Sequence, residues 1–314
     1  MERIVLSSQP PQPVLIIGSL AYDHILTPDA ESGRIAGGSA NFAAVAASHF
    51  APARVVAVVG GDYDEGLLRL LQERGVDTSG VERDASGKTF FWRGKYGENF
   101  NRREALATDL NVFERFNPIL PEVYRQSGYV MLGAIQPSLQ MSVLDQLDNK
   151  KAFVLADTIQ LWIDQKRSEV LELLKRVGMV CLNDDEATIL TGERNLFKAG
   201  QWLQTHTAPI VLLKKGEHGS VLFHPDGVFM LPAYPVTGLK DPTGAGDSFA
   251  GALIGALAAQ NAVTFEALKR AMVYATAVGS LTVEEFSFDR IASPQAGSEI
   301  MQRVEKLRAL TAFR

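Results

Sequence analysis

The residues best placed to do chemistry are Asp247 and the small residues before it. Asp241-Pro242-Thr243-Gly244-Ala245-Gly246-Asp247 leads straight into Ser248-Phe249-Ala250-Gly251-Ala252-Leu253. Pro242 interrupts what precedes it. Gly244, Ala245 and Gly246 have little or no side chain, so another group can approach their backbone. The small apolar residues beyond Asp247 read as a helix suited to tight burial. A helix start has unpaired N–H groups and the positive end of the macrodipole, and so attracts anions. A carboxylate in that place repels a phosphate unless it takes part in the reaction. The plainer alternative is an Asp that complements the dipole after a glycine turn.

Other candidates lie where strands end. Val14-Leu15-Ile16-Ile17-Gly18 is a continuous apolar run, the pattern of a strand buried on both faces. Gly18-Ser19-Leu20-Ala21-Tyr22-Asp23 follows it. Ligands of open α/β sheets bind outside the carboxyl ends of the strands, which suits Asp23 to hold a polar group; a turn carboxylate is the alternative. Gly37-Gly38-Ser39-Ala40-Asn41 makes a second junction of glycines with a small-residue helix. Arg54–Gly60 is another buried run, and Asp62 after it is read as the cap of a helix over Tyr63–Glu73. Asn183-Asp184-Asp185-Glu186 follows the run Met179–Leu182, where Asp184 and Asp185 fit helix caps. Lys214-Lys215-Gly216-Glu217-His218-Gly219 ends the run Ile210–Leu213. Lys214 could reach a phosphate as a point charge or stand solvated at the surface.

The elements that must position these residues alternate. From Tyr129 the sequence predicts strands at Tyr129–Leu132, Ala152–Ala156, Met179–Leu182 and Ile210–Leu213. Helices are expected over Leu139–Leu147, Gln165–Arg176 and Ala187–Leu203, the last with a break. Such alternation argues an α/β fold with a doubly wound, mostly parallel sheet. Val221–Phe223 and Val228–Leu231 read as a hairpin turning at Pro225-Asp226-Gly227. Helices at about Phe265–Leu281 and Ser298–Leu310 close the fold. Residues 24–36 lack helical periodicity, and residues 86–105 carry the aromatic, alternating Thr89–Tyr96. Together they are expected to form a small sheet apart from the main one. With 314 residues, 46% of them hydrophobic, the whole reads as one globular domain. A net charge of −5 argues against nucleic acid. The single cysteine, Cys181, reads as a buried apolar residue and rules out an intrachain disulfide. The histidines form no metal-ligand cluster, no apolar run reaches membrane-spanning length, and a cytoplasmic protein is expected.

The run from Asp241 to Asp247 and the helix after it resemble the C-terminal signature of the ribokinase family of sugar kinases, also called the phosphofructokinase-B family. Gly37-Gly38 resembles that family's N-terminal glycine pair, Asp23 its sugar-binding Asp, and Asn183 with Glu186 its Asn-x-x-Glu. Gly216 and Gly219 lie where the family lines its nucleotide, and Lys214 replaces a threonine common there. Asn41 stands one position earlier than the family's asparagine. The resemblance implies a single kinase domain over 1–314 with a β lid from about 24–36 and 86–105. It implies ATP and Mg²⁺ as cofactors, with Mg²⁺ set by Glu186 and Asn183, often through water. Asp247 would take the proton of the attacking hydroxyl, and the N–H groups of Gly244, Ala245, Gly246 and Asp247 would hold the developing charge. Asp23, Gly37, Gly38 and Asn41 would bind the acceptor, and Asn183, Lys214, Gly216 and Gly219 the nucleotide. Asp241 and Thr243 would contribute to a monovalent cation site such as K⁺, and the lid could pair two copies. The acceptor would be a sugar, or a nucleoside, because the Asn that ribose kinases carry two residues before the site Asp is Ala21 here. A non-catalytic sugar or nucleotide sensor has no use for Asp247. A dinucleotide dehydrogenase fits poorly, since Gly18-Ser19-Leu20 lacks Gly-x-Gly-x-x-Gly.

Overall fold

The computed structural model describes residues 3–100 and 103–312. In chain order the elements are β1 (Val14–Ile17), β2 (Ala21–Leu26), β3 (Glu31–Gly37), α1 (Ser39–Ser48), β4 (Ala53–Gly60), α2 (Glu65–Glu73), β5 (Val76–Asp84), β6 (Phe91–Tyr96), β7 (Arg103–Asp109), β8 (Tyr129–Leu132), α3 (Pro137–Gln146) and β9 (Phe153–Asp157). Then follow α4 (Gln160–Leu174), β10 (Met179–Asn183), α5 (Asp184–Thr191), α6 (Leu196–His206), β11 (Ile210–Lys214), β12 (Ser220–His224), β13 (Gly227–Leu231), α7 (Ala245–Gln260), α8 (Phe265–Thr282), α9 (Asp289–Ala292) and α10 (Ala296–Thr311).

Nine strands form the main sheet in the order β13-β12-β11-β10-β9-β8-β1-β4-β5. All its pairs are parallel except β11 with β12 and β12 with β13. The apolar runs of β1, β8 and β10 explain the parallel centre, since such strands are covered on both faces. Alternate residues of β1 serve opposite cores. Val14 and Ile16 pack with Val45, Leu253 and Met272 on one face. Leu15 and Ile17 pack with Val143, Val180 and Leu190 on the other. The chain leaves β1 for β4 on one side and later returns to pair β8 on its other side. The crevice outside that reversal is where open α/β sheets bind ligands.

The remaining strands form a second sheet in the order β3-β2-β6-β7. It comes from the two regions expected to stand apart from the main sheet; Asn101 and Arg102 of the second region lie outside the described residues. Two helices connect the sheets to the site. Added Cβ atoms at Gly251 and Gly255 of α7 would meet the backbone of Ala43 and Ala47 of α1. The equal steps along both helices show that they run parallel with their backbones in close approach. Their N-termini, at Gly38 and Gly244, therefore open toward the same end of the molecule.

Several sequence expectations are corrected. Asp64, not Asp62, caps α2 by accepting from Gly66 N, and the helix starts at Glu65 rather than Tyr63. Asp62 instead accepts from Thr89 N and Oγ1 and pairs with Arg34. Asn183, not Asp184 or Asp185, caps α5. The break expected within Ala187–Leu203 falls at Gly192, a left-handed residue that ends α5. β5 carries no apolar run, being an edge strand exposed along much of its length, and sequence periodicity gave no sign of it.

Candidate active site

Three neighbouring parallel strands, β9, β10 and β11, end in Asp157, Asn183 and Lys214. Lys214 is not the solvated surface residue its sequence context allowed. Its side chain crosses the end of β10, and Nζ lies 3.2 Å from Asp157 Oδ2. Burial works against its charge, but Asp157, Cys181, Glu186 and Asp247 outweigh that and hold Lys214 above its ordinary value. Asn183 and Glu186 form a reciprocal cap: Glu186 N donates to Asn183 Oδ1 at 2.8 Å, and Asn183 N donates to Glu186 Oε2 at 2.8 Å. Glu186 Oε1 has no hydrogen-bond partner among the described residues. Burial and then Asp157 push the Glu186 carboxyl up.

Above these strand ends sits the start of α7. Gly244 precedes the helix with φ 75°, and a side chain there would run into the Phe42 ring. The position requires glycine on both counts. Among the described residues the N–H groups of Gly244 and Gly246 find no protein acceptor, whereas Ala245 N–H donates to Pro242 O at 3.2 Å. The Ala245 N–H thus has a partner within the loop, unlike those of Gly244 and Gly246. Burial and then the Asp157 carboxylate push the Asp247 carboxyl up to about 7, while Lys214 and Arg103 pull it back. Lys214 Nζ is 3.1 Å from where a Gly246 Cβ would be. Asp241 takes Thr243 N–H on Oδ1 at 2.8 Å, and its Oδ2 is buried without a partner.

The third group of residues comes from β2 and the junction before α1. Asp23 is buried, and a Cβ at Gly37 would collide with its carboxylate. Burial, then Asp241 and Asp247, push Asp23 up to about 7, against a hydrogen bond from the Gly38 backbone. Gly38 has φ 91°, and a side chain there would strike the Ser19 carbonyl. Asn41 is fully buried; Nδ2 donates to Gly37 O at 2.7 Å and to Tyr63 Oη at 3.0 Å. Its polar atoms are occupied behind the glycine pair, so it shapes that junction from beneath. Gly216 and Gly219 lie in the turn between β11 and β12, both with positive φ.

Three residues outside the sequence expectations complete the arrangement. Asp157 closes the apolar strand β9, and could have been found by the rule that ligands bind outside the carboxyl ends of parallel strands. Tyr96 of β6 hydrogen-bonds Thr243 Oγ1 at 3.0 Å, tying the second sheet to the loop before α7. Arg103 of β7 pairs in register with Tyr96 and acts on Asp23, Glu186 and Asp247. A lone arginine on an exposed strand gives no sequence signal. Among the described residues no group of three or more His, Cys, Asp or Glu is set to hold a metal.

A carboxylate of raised pKa, free N–H donors and an ammonium at one helix start suit group transfer through an anion. Fold and site together define an α/β phosphotransferase. The family description "pfkB family carbohydrate kinase" matches residues 12–294, and the chain belongs to that family. The cytidine kinase of Thermococcus kodakarensis is 29% identical over 248 residues, covering 77% of this chain and 87% of that protein. The nucleoside kinase of Burkholderia thailandensis in complex with ADP-inosine superposes with a TM-score of 0.78 at 18% identity, covering 94% of this chain and 96% of that one. Arabidopsis thaliana ribokinase complexed with ribose and ATP gives 0.74 at 20% identity, covering 95% and 99%. These likenesses confirm the expected ribokinase-like fold; the chain is a kinase that phosphorylates a hydroxyl group.

Proposed function

We propose that this chain transfers the γ-phosphoryl group of ATP to a hydroxyl of a sugar or a nucleoside. The observation that carries the reading is Asp247, with its pKa raised to about 7, beside the free N–H groups of Gly244 and Gly246. Phosphoryl transfer needs in-line positioning and charge stabilisation more than covalent chemistry. Asp23 accepts hydroxyls of the acceptor and, with Gly37 and Gly38, fixes its orientation. Asp247 takes the proton of the attacking hydroxyl. The Gly244 and Gly246 N–H groups hold the charge that develops on the transferred group, each such donor typically worth roughly 3 kcal/mol. Asn183, Lys214, Gly216 and Gly219 border the nucleotide.

Mg²⁺ would neutralise phosphate charge. The uncommitted Glu186 Oε1 fits it, because Mg²⁺ keeps several waters and takes one or two carboxylates. The unpartnered Asp241 Oδ2 fits a monovalent cation, with Thr243 beside it. The second sheet would act as a lid over the acceptor, since Tyr96 reaches the loop before α7. Its outer strand β7 has a free edge and exposes Leu106, which supports pairing of two copies through the lid. Among the described residues no helix is long and apolar enough to cross a membrane.

A panel of pentoses, hexoses, inositols and nucleosides, assayed for ADP release with and without K⁺, tests the reading. A nucleoside acceptor is favoured by the extent of the match to the Thermococcus cytidine kinase. ADP release with none of them, under conditions where the protein is folded and binds ATP, would overturn it.

A further inference from the structure

We propose that Asp157 is a positioning residue that holds Lys214 as a preformed clamp for the nucleotide's polyphosphate. The inference rests on the kinase reading and assigns a part of that site which the sequence left open. β9 and β11 are separated by β10, so their ends lie roughly 10 Å apart. A lysine reaches across that gap only when something on the far side holds it, and Asp157 Oδ2 does so at 3.2 Å. Asp157 is itself fixed, because its Oδ1 accepts from Thr158 N at 3.0 Å. The tether leaves the ammonium directly beneath the anion-binding turn, 3.1 Å from the Cβ position of Gly246.

Two further facts separate a clamp from a buried structural pair. An ammonium has three donors. Among the described residues Lys214 Nζ spends one of them, on Asp157. The others lie beside the Gly246 N–H, which has no acceptor in the protein either. The Lys214 side chain keeps 15% exposure, so its remaining donors are open to water and to a ligand that replaces it. The charge is needed there as well. Asp23, Asp157, Glu186, Asp241 and Asp247 surround the turn and would repel a triphosphate. Arg103, the other cation acting on them, belongs to the second sheet and is exposed. Lys214 is the cation that the main sheet itself fixes in place before the nucleotide arrives. Glycine at 246 leaves the space between ammonium and backbone open to phosphate oxygens.

The test is calorimetric titration with ADP and with inorganic tripolyphosphate, alongside melting temperatures, on four proteins: wild type, Lys214→Met, Asp157→Asn, and the double variant Asp157→Asn/Lys214→Gln. A charge-assisted hydrogen bond lost from the phosphates corresponds to about tenfold or more in affinity. Lys214→Met is expected to weaken both ligands by that much, and Asp157→Asn, which keeps the ammonium but frees it, by roughly threefold. The double variant removes the buried charges together and is expected to melt near wild type while remaining about tenfold weaker for both ligands. It therefore carries the test even if Lys214→Met does not fold. A double variant that regains wild-type affinity along with wild-type stability overturns the clamp and leaves a structural pair. If the double variant does not fold, Asp157→Asn decides: unchanged affinity for both ligands overturns the positioning role. A folded wild type that binds neither ligand removes the kinase reading and the clamp together, whereas wild-type binding with unaffected variants removes the clamp alone.

Discussion

Asp247 must be ionised to accept a proton, yet it sits among carboxylates that oppose its ionisation. Its value near 7, set by burial and by Asp157, places it where a general base is most effective at neutral pH. Two outcomes follow from this residue. In wild type the acidic limb of kcat/KM is expected near pH 7, about tenfold per pH unit below it, rather than near the ordinary Asp value of 3.8. Asp247→Asn should lower kcat by about 10²–10⁴-fold with KM values nearly unchanged, and its residual activity should lose that limb. An activity profile flat down to pH 5 would argue against Asp247 as the base. Asp23 should behave differently. Its carboxylate lies against Gly37 at the glycine junction, so Asp23→Ala should weaken acceptor binding about tenfold or more while ATP affinity changes far less. Equal losses for both ligands, measured by calorimetry, would make it a structural group. Both residues were legible in the sequence, Asp247 because it follows Gly244 and Gly246 at a helix start, and Asp23 because it comes soon after the apolar run that ends at Gly18. Asn41 was legible only as a polar residue near such a junction. Its burial and its bonds to Gly37 O and Tyr63 depend on a contact 22 residues away, which spacing does not reveal.

The site exists because two helices aim their N-termini at one place. Gly251 and Gly255 let α7 lie directly against the Ala43 and Ala47 backbone of α1. The sequence shows this as two small-residue helices, each with glycines at its start; that they are parallel neighbours is a property of the sheet winding around β1. Gly251→Val tests the contact. The added atoms would meet the Ala43 backbone, which cannot swing aside as a side chain can. Overpacking of this kind costs typically about 1–3 kcal/mol, and more where backbone is the obstacle. The variant should melt several degrees lower and lose turnover, because Gly244 and Gly38 would move apart. Thermal melts and kcat on the same preparation check this, and a variant with wild-type melting temperature would show that the helices are not in close approach. The strands that read clearly from sequence are those buried on both faces. β5 and β7 are largely exposed, so hydrophobic pattern could not delimit them. The consequence for function is that Arg103, which lies on β7, was invisible until the second sheet showed its charge acting on Asp23 and Asp247.

At the scale of the whole molecule, the site is a place where stability is given up. Asp23 and Asp247 are each held near 7 and Asp241 near 6, all well above the 3.8 of an unfolded aspartate. A carboxyl whose folded pKa is raised contributes its stability fully below the unfolded value and loses it as pH rises through the folded one. The native state keeps a proton that the unfolded chain has released, so the window runs from about 4 to about 7. Above it the folded protein carries these buried charges, offset only in part by Lys214 and by Arg103 of the second sheet. Asp247→Asn removes one such charge and with it the repulsion that Asp247 exerts on Asp23, so the difference between the two proteins reports both. Below pH 4 the two proteins should melt together. The variant should then gain on wild type as pH rises, reaching an advantage of about 2–4 kcal/mol by pH 8. The ligand-free protein is the right sample, since Mg²⁺ or K⁺ would relieve the same repulsion and shrink the difference. A variant that loses turnover and at the same time becomes more stable at pH 8 is the signature of a residue retained for chemistry. Equal melting temperatures at pH 8 would mean that Asp247 is solvated in the native state. The raised pKa, and with it the position of the acidic limb in kcat/KM, would then both be wrong.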